Sequence, residues 1–233
     1  MNRRFVLAAL PLAALLAGAA PRRLAALRKP AAPPPPRPLA AVERVALVTE
    51  LGMIELMLDG AHAPITTANF LRYVDAKRFD GITFYRAMHL AWGDQPNGLL
   101  QGGTRDPRLL FPPIAHEPTS QTGLSHKAGA ISMARGAPGT ARADFTIMLS
   151  DLTGFDSDPT SSDPEVQAGY AAFGNVSVGM DVVCKIWDSP RSATAGEGAM
   201  LGQMLEKPVK VLSARRLPPL PAPEPAPPPA PAP

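Results

Sequence analysis

The sequence predicts a mainly β domain, a closed or nearly closed β-barrel capped by helices. Many short runs rich in β-branched and aromatic residues recur between positions 43 and 214, whereas only two segments show the periodicity of a substantial helix. About 175 residues separate the proline-rich ends of the chain, which is enough for one hydrophobic core. The sequence contains no internal repeat.

The predicted strands begin with a hairpin. Residues 43–50 and 53–58 are β-rich runs joined by Leu51 and Gly52, which is typical of two antiparallel strands and a tight turn. The same composition predicts further strands at residues 82–87, 128–134, 145–149, 171–178 and 209–214.

Two helices complete the predicted fold. The first covers residues 64–76, because Pro64 suits the first turn of a helix and an apolar face follows it. The second lies near residues 180–187. Cys184 falls on its apolar side, so we expect a buried thiol, and as the single cysteine it permits no internal disulfide. The apolar faces consist of Ile65, Ala68, Phe70, Leu71 and Val74 in the first helix, and of Met180, Val183, Cys184 and Trp187 in the second.

The first 20 residues have the order of a secretory signal. Arg3 and Arg4 precede a short apolar run, and small residues follow it, with a candidate cleavage site near Ala19 or Ala20. An uncleaved membrane anchor is the alternative, but the apolar run is shorter than the roughly 18 to 20 residues that a spanning helix needs. We therefore expect a periplasmic or secreted protein that is not inserted in a membrane after cleavage.

Proline-rich segments flank the predicted domain of residues 41–217. Residues 21–40 are basic and then proline-rich, and residues 218–233 have a similar proline-rich composition. We interpret both segments as extended, solvated linkers. Docking of either segment in a proline-binding groove is the alternative.

The charge of the predicted domain differs from that of the whole chain. The chain carries a net charge of +3, but seven of its 23 basic residues precede Ala40, where there is no acidic residue. The rest of the chain therefore carries a net charge of −4. This balance argues against a nucleic-acid partner.

The segment from Phe84 to Gly103 holds the strongest candidate for a functional site. It begins with a predicted strand that carries Arg86 and ends in a glycine-closed turn that carries Gln101, with a polar loop between them. An arginine on an apolar strand keeps its charge and its five N–H donors, so burying it without a partner is costly. We expect Arg86 to face a cleft; a surface arginine paired with a carboxylate is the alternative.

Other chemistries find little support in the sequence. The histidines show no metal-ligand spacing, and no Gly-x-Ser-x-Gly motif of a hydrolase is present. The loop of residues 151–169 is acidic, but it lacks the central glycine and terminal glutamate of a calcium-binding EF-hand. We interpret it as a solvated acidic loop, and we expect no metal or other cofactor. The residues concerned are His62, His89, His116 and His126, and in the loop Asp156, Asp158, Asp163 and Glu165.

Five sequence blocks occur in the order found in one known family. They are residues 66–70 (TTANF), 84–86 (FYR), 101–103 (QGG), 129–135 (GAISMAR) and 172–176 (AFGNV). With these blocks the chain resembles the cyclophilin-type peptidyl-prolyl isomerases from about Val45 to Ala214, and it looks like an exported bacterial member. The resemblance implies an eight-stranded antiparallel barrel closed by two helices, and an enzyme that needs no cofactor.

The resemblance also implies roles for individual residues. Arg86 stands where the family has the arginine that donates a hydrogen bond to the prolyl nitrogen. Three positions depart from the family pattern: Gly98 and Thr146 replace aromatic residues, and Asp144 replaces a glutamine. We expect the Asp144 carboxylate to pair with Arg86 and compete for its donors. The implied substrate-binding positions are Leu99, Gln101, Ala134, Arg135, Asp144, Phe145, Thr146 and Tyr170, with Phe155 as a candidate replacement for a tryptophan that many members have.

The loop of residues 87–97 is longer than the family's connection at this place, and it contains Trp92. Two interpretations of Trp92 remain open. It folds over the groove and restores the missing apolar wall, or it packs against the barrel.

We therefore expect an exported peptidyl-prolyl cis-trans isomerase that assists the folding of secreted or outer-membrane proteins. The alternative is a cyclophilin-shaped binding module with little catalysis, which the departures at Gly98, Asp144 and Thr146 favour. Arg86 and Gln101 favour the enzyme. Both functions imply proline-containing polypeptides as partners and a monomeric protein.

The export hypothesis predicts where the mature chain begins. Protein recovered from an exporting cell should start near Ala20 or Pro21, because cleavage follows the small residues of the signal. Mass spectrometry of the intact mature protein measures this directly. Uncleaved chain starting at Met1 as the main species of the soluble cytoplasm would contradict export.

Overall fold

The computed structural model describes residues 38–219, so the predicted signal and nearly all of the two proline-rich segments lie outside the described part of the chain. Its eight strands are β1 (Val42–Thr49), β2 (Gly52–Asp59), β3 (Thr83–His89), β4 (Gly98–Gly103), β5 (Ala130–Met133), β6 (Phe145–Met148), β7 (Ala171–Val178) and β8 (Met204–Arg216). All neighbouring strands are antiparallel, and they close a barrel in the order β1-β2-β7-β5-β6-β4-β3-β8. The predicted barrel is confirmed.

Four α-helices accompany the barrel: α1 (Pro64–Asp75), α2 (Thr119–Thr122), α3 (Pro164–Ala168) and α4 (Met180–Trp187). The two longer ones, α1 and α4, are the predicted helices, and α2 and α3 are short additions in loops. Short 3₁₀ turns lie at Pro107–Leu109, Thr153–Phe155 and Gly198–Met200. Within residues 38–219, every helix is too short or too polar to cross a bilayer.

Strand β4 corrects one prediction. Residues 98–103 were expected to form the end of a loop and a glycine-closed turn, yet all six are buried in a strand that pairs with β3, and residues 99–102 also pair with β6. Glycine is unfavourable in most strands, but here close packing requires it. A Cβ atom on Gly98 would collide with the carbonyl oxygen of Met88, and one on Gly103 would collide with the Asp144 carboxylate.

Aromatic side chains form the centre of the core. Phe70 of α1 lies with its ring centroid 4.8 Å from that of Phe79, 5.3 Å from that of Phe145 and 5.5 Å from that of Phe173. Phe145 also meets Phe84 of β3 at 5.8 Å. These contacts attach α1 to strands β6 and β7.

The buried face of α1 differs from the predicted one. Ile65 is 42% exposed and Ala68 is exposed, whereas Thr67 and Asn69 are buried. Two buried polar side chains bind backbone carbonyls: Thr67 Oγ1 donates to Asp59 at 2.9 Å, and Asn69 Nδ2 donates to Arg142 at 2.6 Å. A third, Thr66, is buried with its hydroxyl unpartnered among residues 38–219. The helix packs partly on backbone segments, so hydrogen bonding replaces apolar contact there.

The predicted buried thiol in α4 is also corrected. Cys184 is half-buried, and burial raises the pKa of its thiol. The side chains that α4 buries are Val182, Val183, Ile186 and Trp187.

Glu117 caps α1 from a distant loop. The residue before the helix, Ala63, has no side chain that accepts a hydrogen bond. The Glu117 carboxylate, which is 1% exposed, accepts from the backbone N–H of Ile65 at 3.0 Å and of Thr66 at 2.6 Å. A negative group at a helix N-terminus satisfies free N–H donors and interacts favourably with the helix dipole.

This capping predicts that Glu117→Gln lowers the free energy of unfolding by about 1–3 kcal/mol, because one oxygen acceptor becomes an amide donor facing an N–H group. Urea denaturation measures the change. Glu206→Gln is the matched control, since the exposed Glu206 side chain on β8 caps no helix among residues 38–219. Equal stability of the two variants would contradict the capping role.

Candidate active site

A β-bulge at Tyr85 decides where Arg86 points. In the pairing of β3 with β4, Phe84 lies opposite Gly102 and Arg86 lies opposite Gln101, so Tyr85 is an extra residue. The pairing of β3 with β8 shifts at the same place. Side chains alternate between the two faces of a strand, and a bulge changes the alternation. Phe84 therefore enters the core, whereas Arg86 lines a cleft on the outer face.

The cleft has a volume of about 530 Å³. Its floor is the outer face of β3, β4, β6 and β5, and its rims come from loops. The lining residues are Arg86, Met88, Leu99, Gln101, Thr104, Leu110, Ser132, Met133, Ala134, Arg135, Gly136, Thr140, Arg142, Ala143, Asp144, Thr146, Met148, Phe155, Tyr170 and Met200.

The floor contains a polar row of four residues on four adjacent strands: Arg86, Gln101, Thr146 and Ser132. Arg86 pairs with Gln101, Gln101 pairs with Thr146, and Thr146 pairs with Ser132 in the strand registers. Neighbouring strands lie roughly 4.8 Å apart, so the polar row spans about 14 Å.

An apolar row lies beside the polar row, two residues away on strands β3, β4 and β6. It consists of Met88, Leu99 and Met148, which pair in the same way. Leu99 and Met148 belong to a small hydrophobic cluster outside the main core, and Met88 and Phe155 pack against it. The cleft thus presents an apolar surface directly next to hydrogen-bonding groups.

Two glutamines hold the Arg86 guanidinium. Arg86 Nε donates to Gln203 Oε1 at 2.8 Å, and Nη1 donates to Gln101 Oε1 at 2.8 Å. The three remaining N–H donors have no partner among residues 38–219, and no carboxylate in that range forms an ion pair with them. Burial lowers the pKa of Arg86 from its ordinary value, which lies so far above neutral pH that the group stays protonated. The cleft therefore contains a fixed cation with free donors.

Asp144 supports the bulge and does not pair with Arg86. The Tyr85 hydroxyl donates to Asp144 Oδ2 at 2.8 Å, and the Arg105 guanidinium lies 4.8 Å from the centre of the Tyr85 ring. Burial raises the pKa of both Asp144 and Tyr85, and the nearby carboxylate raises that of Tyr85 further. The predicted competition of Asp144 for the Arg86 donors is wrong, because the carboxylate is bound to the bulged residue.

Phe145 does not line the cleft, which corrects its predicted place. It is fully buried in the aromatic core, and so is Ile147. Alternation along β6 turns Thr146 and Met148 to the cleft instead. Met148 on β6 and Met88 on β3 supply apolar surface in the cleft floor near Thr146, which replaces an aromatic residue of the family.

Neither interpretation of Trp92 is correct. Its side chain is 66% exposed and does not line the cleft. The loop before β4 is held by Asn97, whose Nδ2 donates to the Trp92 carbonyl at 2.5 Å and whose Oδ1 accepts from Ser150 Oγ at 2.5 Å. These bonds hold the loop backbone, and the Trp92 side chain is left exposed. Gly98 has no side chain that could form a wall of the cleft, and a Cβ atom at this position would collide with the Met88 carbonyl oxygen.

The rim of the cleft combines two aromatic rings and an arginine. Phe155 and Tyr170 meet edge to face with ring centroids 5.4 Å apart. The Arg135 guanidinium lies 4.6 Å from the Tyr170 ring centre, donates to the Gly169 carbonyl at 2.6 Å and pairs with Glu165 at 2.8 Å. Arg135 therefore clamps the acidic loop to the end of β5, although its side chain lines the cleft.

Most carboxylates of the acidic loop bind protein groups. Asp156 accepts from His126 and Ser125, Asp158 accepts from Thr160, and Asp163 accepts from the backbone N–H of Glu165 at the start of α3. Within residues 38–219 no group of three or more His, Cys, Asp or Glu side chains is arranged to hold a metal ion. These contacts hold the loop, while Asp158, Asp163 and Glu165 remain exposed, as expected for a solvated acidic loop.

The structure brings eight of the nine predicted binding residues to the cleft together with Arg86. Leu99, Gln101 and Thr146 form its floor, Ala134, Arg135 and Asp144 form one side, and Phe155 and Tyr170 form the rim. Sequence reasoning missed Met88 and Met148, which alternation from Arg86 and Thr146 indicates. It also missed Gln203, which lies 117 positions from Arg86 and carries no local signal.

Comparison with known proteins places this cleft in context. The model of the family described as "Cyclophilin type peptidyl-prolyl cis-trans isomerase/CLD" matches residues 44–215. A peptidyl-prolyl cis-trans isomerase of Acinetobacter baylyi is 34% identical over 176 residues, covering 73% of this chain and 84% of the relative. The peptidyl-prolyl cis-trans isomerase cyp18 of Streptomyces antibioticus is 33% identical, covering 74% of this chain and 98% of the relative.

Solved structures agree on the fold. The crystal structure of a Cryptosporidium parvum cyclophilin-type peptidyl-prolyl cis-trans isomerase covers 76% of this chain with a TM-score of 0.55 and 18% identity, and 98% of that structure is matched. A second crystal structure of that protein was obtained in the presence of the dipeptide Ala-Pro. It has a TM-score of 0.53 and 17% identity; the match covers 74% of this chain and 97% of the chain in that structure.

The place of Asp144 predicts a pH dependence of stability. A carboxyl group whose pKa is raised in the folded state stabilises the fold most at low pH, and this contribution is lost as the pH rises through the folded pKa. Asp144→Asn keeps an acceptor for Tyr85 but cannot ionise. We expect the variant to gain stability relative to wild type as the pH rises above 3.8, the ordinary value for this carboxyl.

Urea denaturation between about pH 3.5 and about pH 7 measures this difference. Asp80→Asn is a control of opposite sign, because the hydrogen bond from Arg215 lowers the pKa of Asp80, and its removal should destabilise the protein increasingly as the pH rises. A relative loss of stability in Asp144→Asn at neutral pH would contradict the assignment.

Proposed function

The chain belongs to the cyclophilin-type peptidyl-prolyl cis-trans isomerase family, and we propose that it rotates X-Pro bonds of exported polypeptides in the cleft beside Arg86. The observation that carries this proposal is the Arg86 guanidinium, fixed by two glutamines, with free donors next to an apolar row. The proposed substrate is a proline-containing segment with its ring on the apolar row and its amide over the polar row.

The reaction requires the resonance of one amide bond to be weakened. Delocalisation of the nitrogen lone pair into the carbonyl gives a rotation barrier of about 18–20 kcal/mol. A donor that binds the prolyl nitrogen favours the pyramidal form, in which the lone pair is no longer delocalised. The bond then rotates as a single bond, and no covalent intermediate forms.

The geometry of Arg86 supports this role. Nε and Nη1 are occupied by Gln203 and Gln101, which fix the plane of the guanidinium, and the other donors are directed to no protein group among residues 38–219. A fixed donor acts on the twisted amide without reorganisation during the reaction. Stabilising the twisted state by about 1.4 kcal/mol more than the planar state accelerates rotation tenfold.

The apolar row supports recognition of the ring. Met88, Leu99 and Met148 form a continuous apolar floor, and Phe155 packs at its edge. A proline ring placed there is removed from water, which favours binding by roughly 25 cal/mol for each Å² of apolar area buried. Flexible methionine side chains adapt to the ring at the place where the family usually has an aromatic residue.

Export of the substrate, and of this protein, is the finer part of the proposal. It is supported by the arginines, short apolar run and small residues at the start of the sequence, which are typical of a secretory signal. The curated relatives from Acinetobacter baylyi and Streptomyces antibioticus support a bacterial setting. We propose that the protein is a monomeric isomerase that assists the folding of secreted or outer-membrane proteins.

A binding module with little turnover is the second candidate. It is favoured by Gly98 and Thr146, which leave the cleft without the two usual aromatic residues. Such a module would hold proline-containing segments on the apolar row and leave their isomerisation rate almost unchanged.

The variant Arg86→Ala separates the two candidates. For an isomerase we expect kcat/KM to fall at least tenfold, about 1.4 kcal/mol of transition-state stabilisation, while the melting temperature changes little. Arg86→Lys should rescue poorly, because an ammonium group does not reproduce the planar fork held by Gln101 and Gln203. A protease-coupled assay on a set of X-Pro peptides measures kcat/KM.

Arg44→Ala is the matched control, since Arg44 is a partly buried arginine on β1 whose partner is Glu55 rather than the cleft. Its kcat/KM should equal that of wild type. Full activity in Arg86→Ala would refute the mechanism. Absence of activity in the wild-type protein, with retained binding of the peptides, would favour the binding module.

A further inference from the structure

A fully buried histidine stands at the β5 end of the polar row. His126 is 0% exposed. Its Nε2 lies 2.8 Å from the hydroxyl oxygen of Ser132, the last residue of the polar row, and its Nδ1 lies 2.6 Å from Asp156 Oδ1. The His126 backbone N–H donates to the same carboxylate oxygen at 2.9 Å. Nothing in the proposed reaction uses this ring.

The hydrogen bonds define the state of the ring. A carboxylate only accepts, so His126 Nδ1 carries the hydrogen and donates to Asp156. Nε2 is then bare and accepts from the Ser132 hydroxyl. Burial lowers the pKa of His126, against the smaller opposite effect of Asp156, and this keeps the ring neutral. Both ring nitrogens are therefore satisfied in one arrangement.

The two partners of His126 belong to different parts of the cleft. Ser132 lies in the floor, on β5. Asp156 directly follows Phe155, which packs against the apolar cluster and forms the rim with Tyr170. The His126 and Phe155 ring centroids are 6.0 Å apart. His126 thus contacts both the floor and the segment that carries the aromatic wall, and its Nδ1 bond to Asp156 is a side-chain contact that holds that segment.

Ser132, His126 and Asp156 are hydrogen-bonded in series, as in the catalytic triad of a hydrolase. The burial of the serine and the histidine argues against hydrolase chemistry. Ser132 is 1% exposed and the imidazole is wholly enclosed. A nucleophile must approach an acyl carbon, and this hydroxyl oxygen has almost no accessible surface. The arrangement is suited to holding two segments together.

We propose that His126 is a positioning residue that holds Phe155 at the edge of the apolar row through Asp156 and thereby sets the affinity for the proline ring. This inference rests on the proposed function, because it takes a proline-containing segment as the occupant of the cleft. Phe155 touches the ring equally in the planar and twisted states of the amide, so losing its position raises KM and leaves kcat nearly unchanged.

Two substitutions separate the halves of the histidine. The amide nitrogen of Asn occupies the place of Nδ1, so His126→Asn retains the donor to Asp156 and loses the contact with Ser132. Gln extends to the place of Nε2, so His126→Gln retains the contact with Ser132 and loses the donor to Asp156. We expect His126→Gln to raise the peptide Kd and KM at least fivefold with kcat within twofold of wild type, and His126→Asn to remain within twofold of wild type in all three.

The experiment measures Kd for a short Ala-Pro peptide by NMR titration, together with KM and kcat. His116→Ala is the matched control, because the His116 ring contacts the Ala168 carbonyl of the same loop at 2.9 Å but lies outside the cleft. If His126→Gln does not fold, Asp156→Ala replaces it, with the same expected rise in Kd and KM, since Asp156 is partly exposed.

A merely structural role for His126 would lower the melting temperature and leave Kd and KM of the folded protein unchanged; that result in both His126→Gln and Asp156→Ala would overturn the inference. Equal effects of His126→Asn and His126→Gln would also overturn it. The binding measurement does not depend on turnover. A wild-type protein without activity would therefore refute the proposed function, while the Kd ratios would still decide the role of His126.

Discussion

Phe84 and Arg86 are two residues apart on β3, and an ordinary strand would point both side chains to the same side of the barrel wall. One extra residue, Tyr85, separates their directions, so a phenylalanine enters the core and an arginine enters the cleft. The bulge itself is held from outside: the Tyr85 hydroxyl binds Asp144, and Gly103 leaves room for that carboxylate. Asp144, a departure from the family pattern, thus belongs to the support of Arg86.

Given the outward direction of Arg86, the strand registers determine the positions of the other residues in the cleft floor. The same pairings that build the barrel align Gln101, Thr146 and Ser132 beside it and set the apolar row next to them. Each end of the polar row is held by a residue from a loop, Gln203 on the β8 side and His126 beyond β5. A site on the wall of a closed barrel moves little, which suits a catalyst whose donor must stay fixed.

The sequence predicted the barrel, the hairpin and both longer helices, because apolar periodicity is a local signal. The resemblance carried by the QGG, FYR and other blocks predicted most of the cleft. Prediction from the sequence failed where the structure is decided by a contact between residues far apart in the chain, or by the close packing of a glycine. The turn predicted at residues 101–103 is part of strand β4, since glycine was needed for packing rather than for a bend. Phe145 was placed in the groove from the family resemblance, whereas alternation along β6 turns its side chain into the core. The anchors Gln203 and Glu117 lie 117 and about 50 positions from the groups that they bind, and no spacing indicates them.

A crystal structure of the protein with a short Ala-Pro peptide tests the central claim most directly, because it shows what the outward arginine binds. The account predicts the proline ring on Met88, Leu99 and Met148, with the prolyl nitrogen within hydrogen-bond distance of the free Arg86 donors and the Tyr85 bulge intact. A peptide bound elsewhere on the barrel, or a complex in which Arg86 is directed away from the prolyl nitrogen, would contradict it.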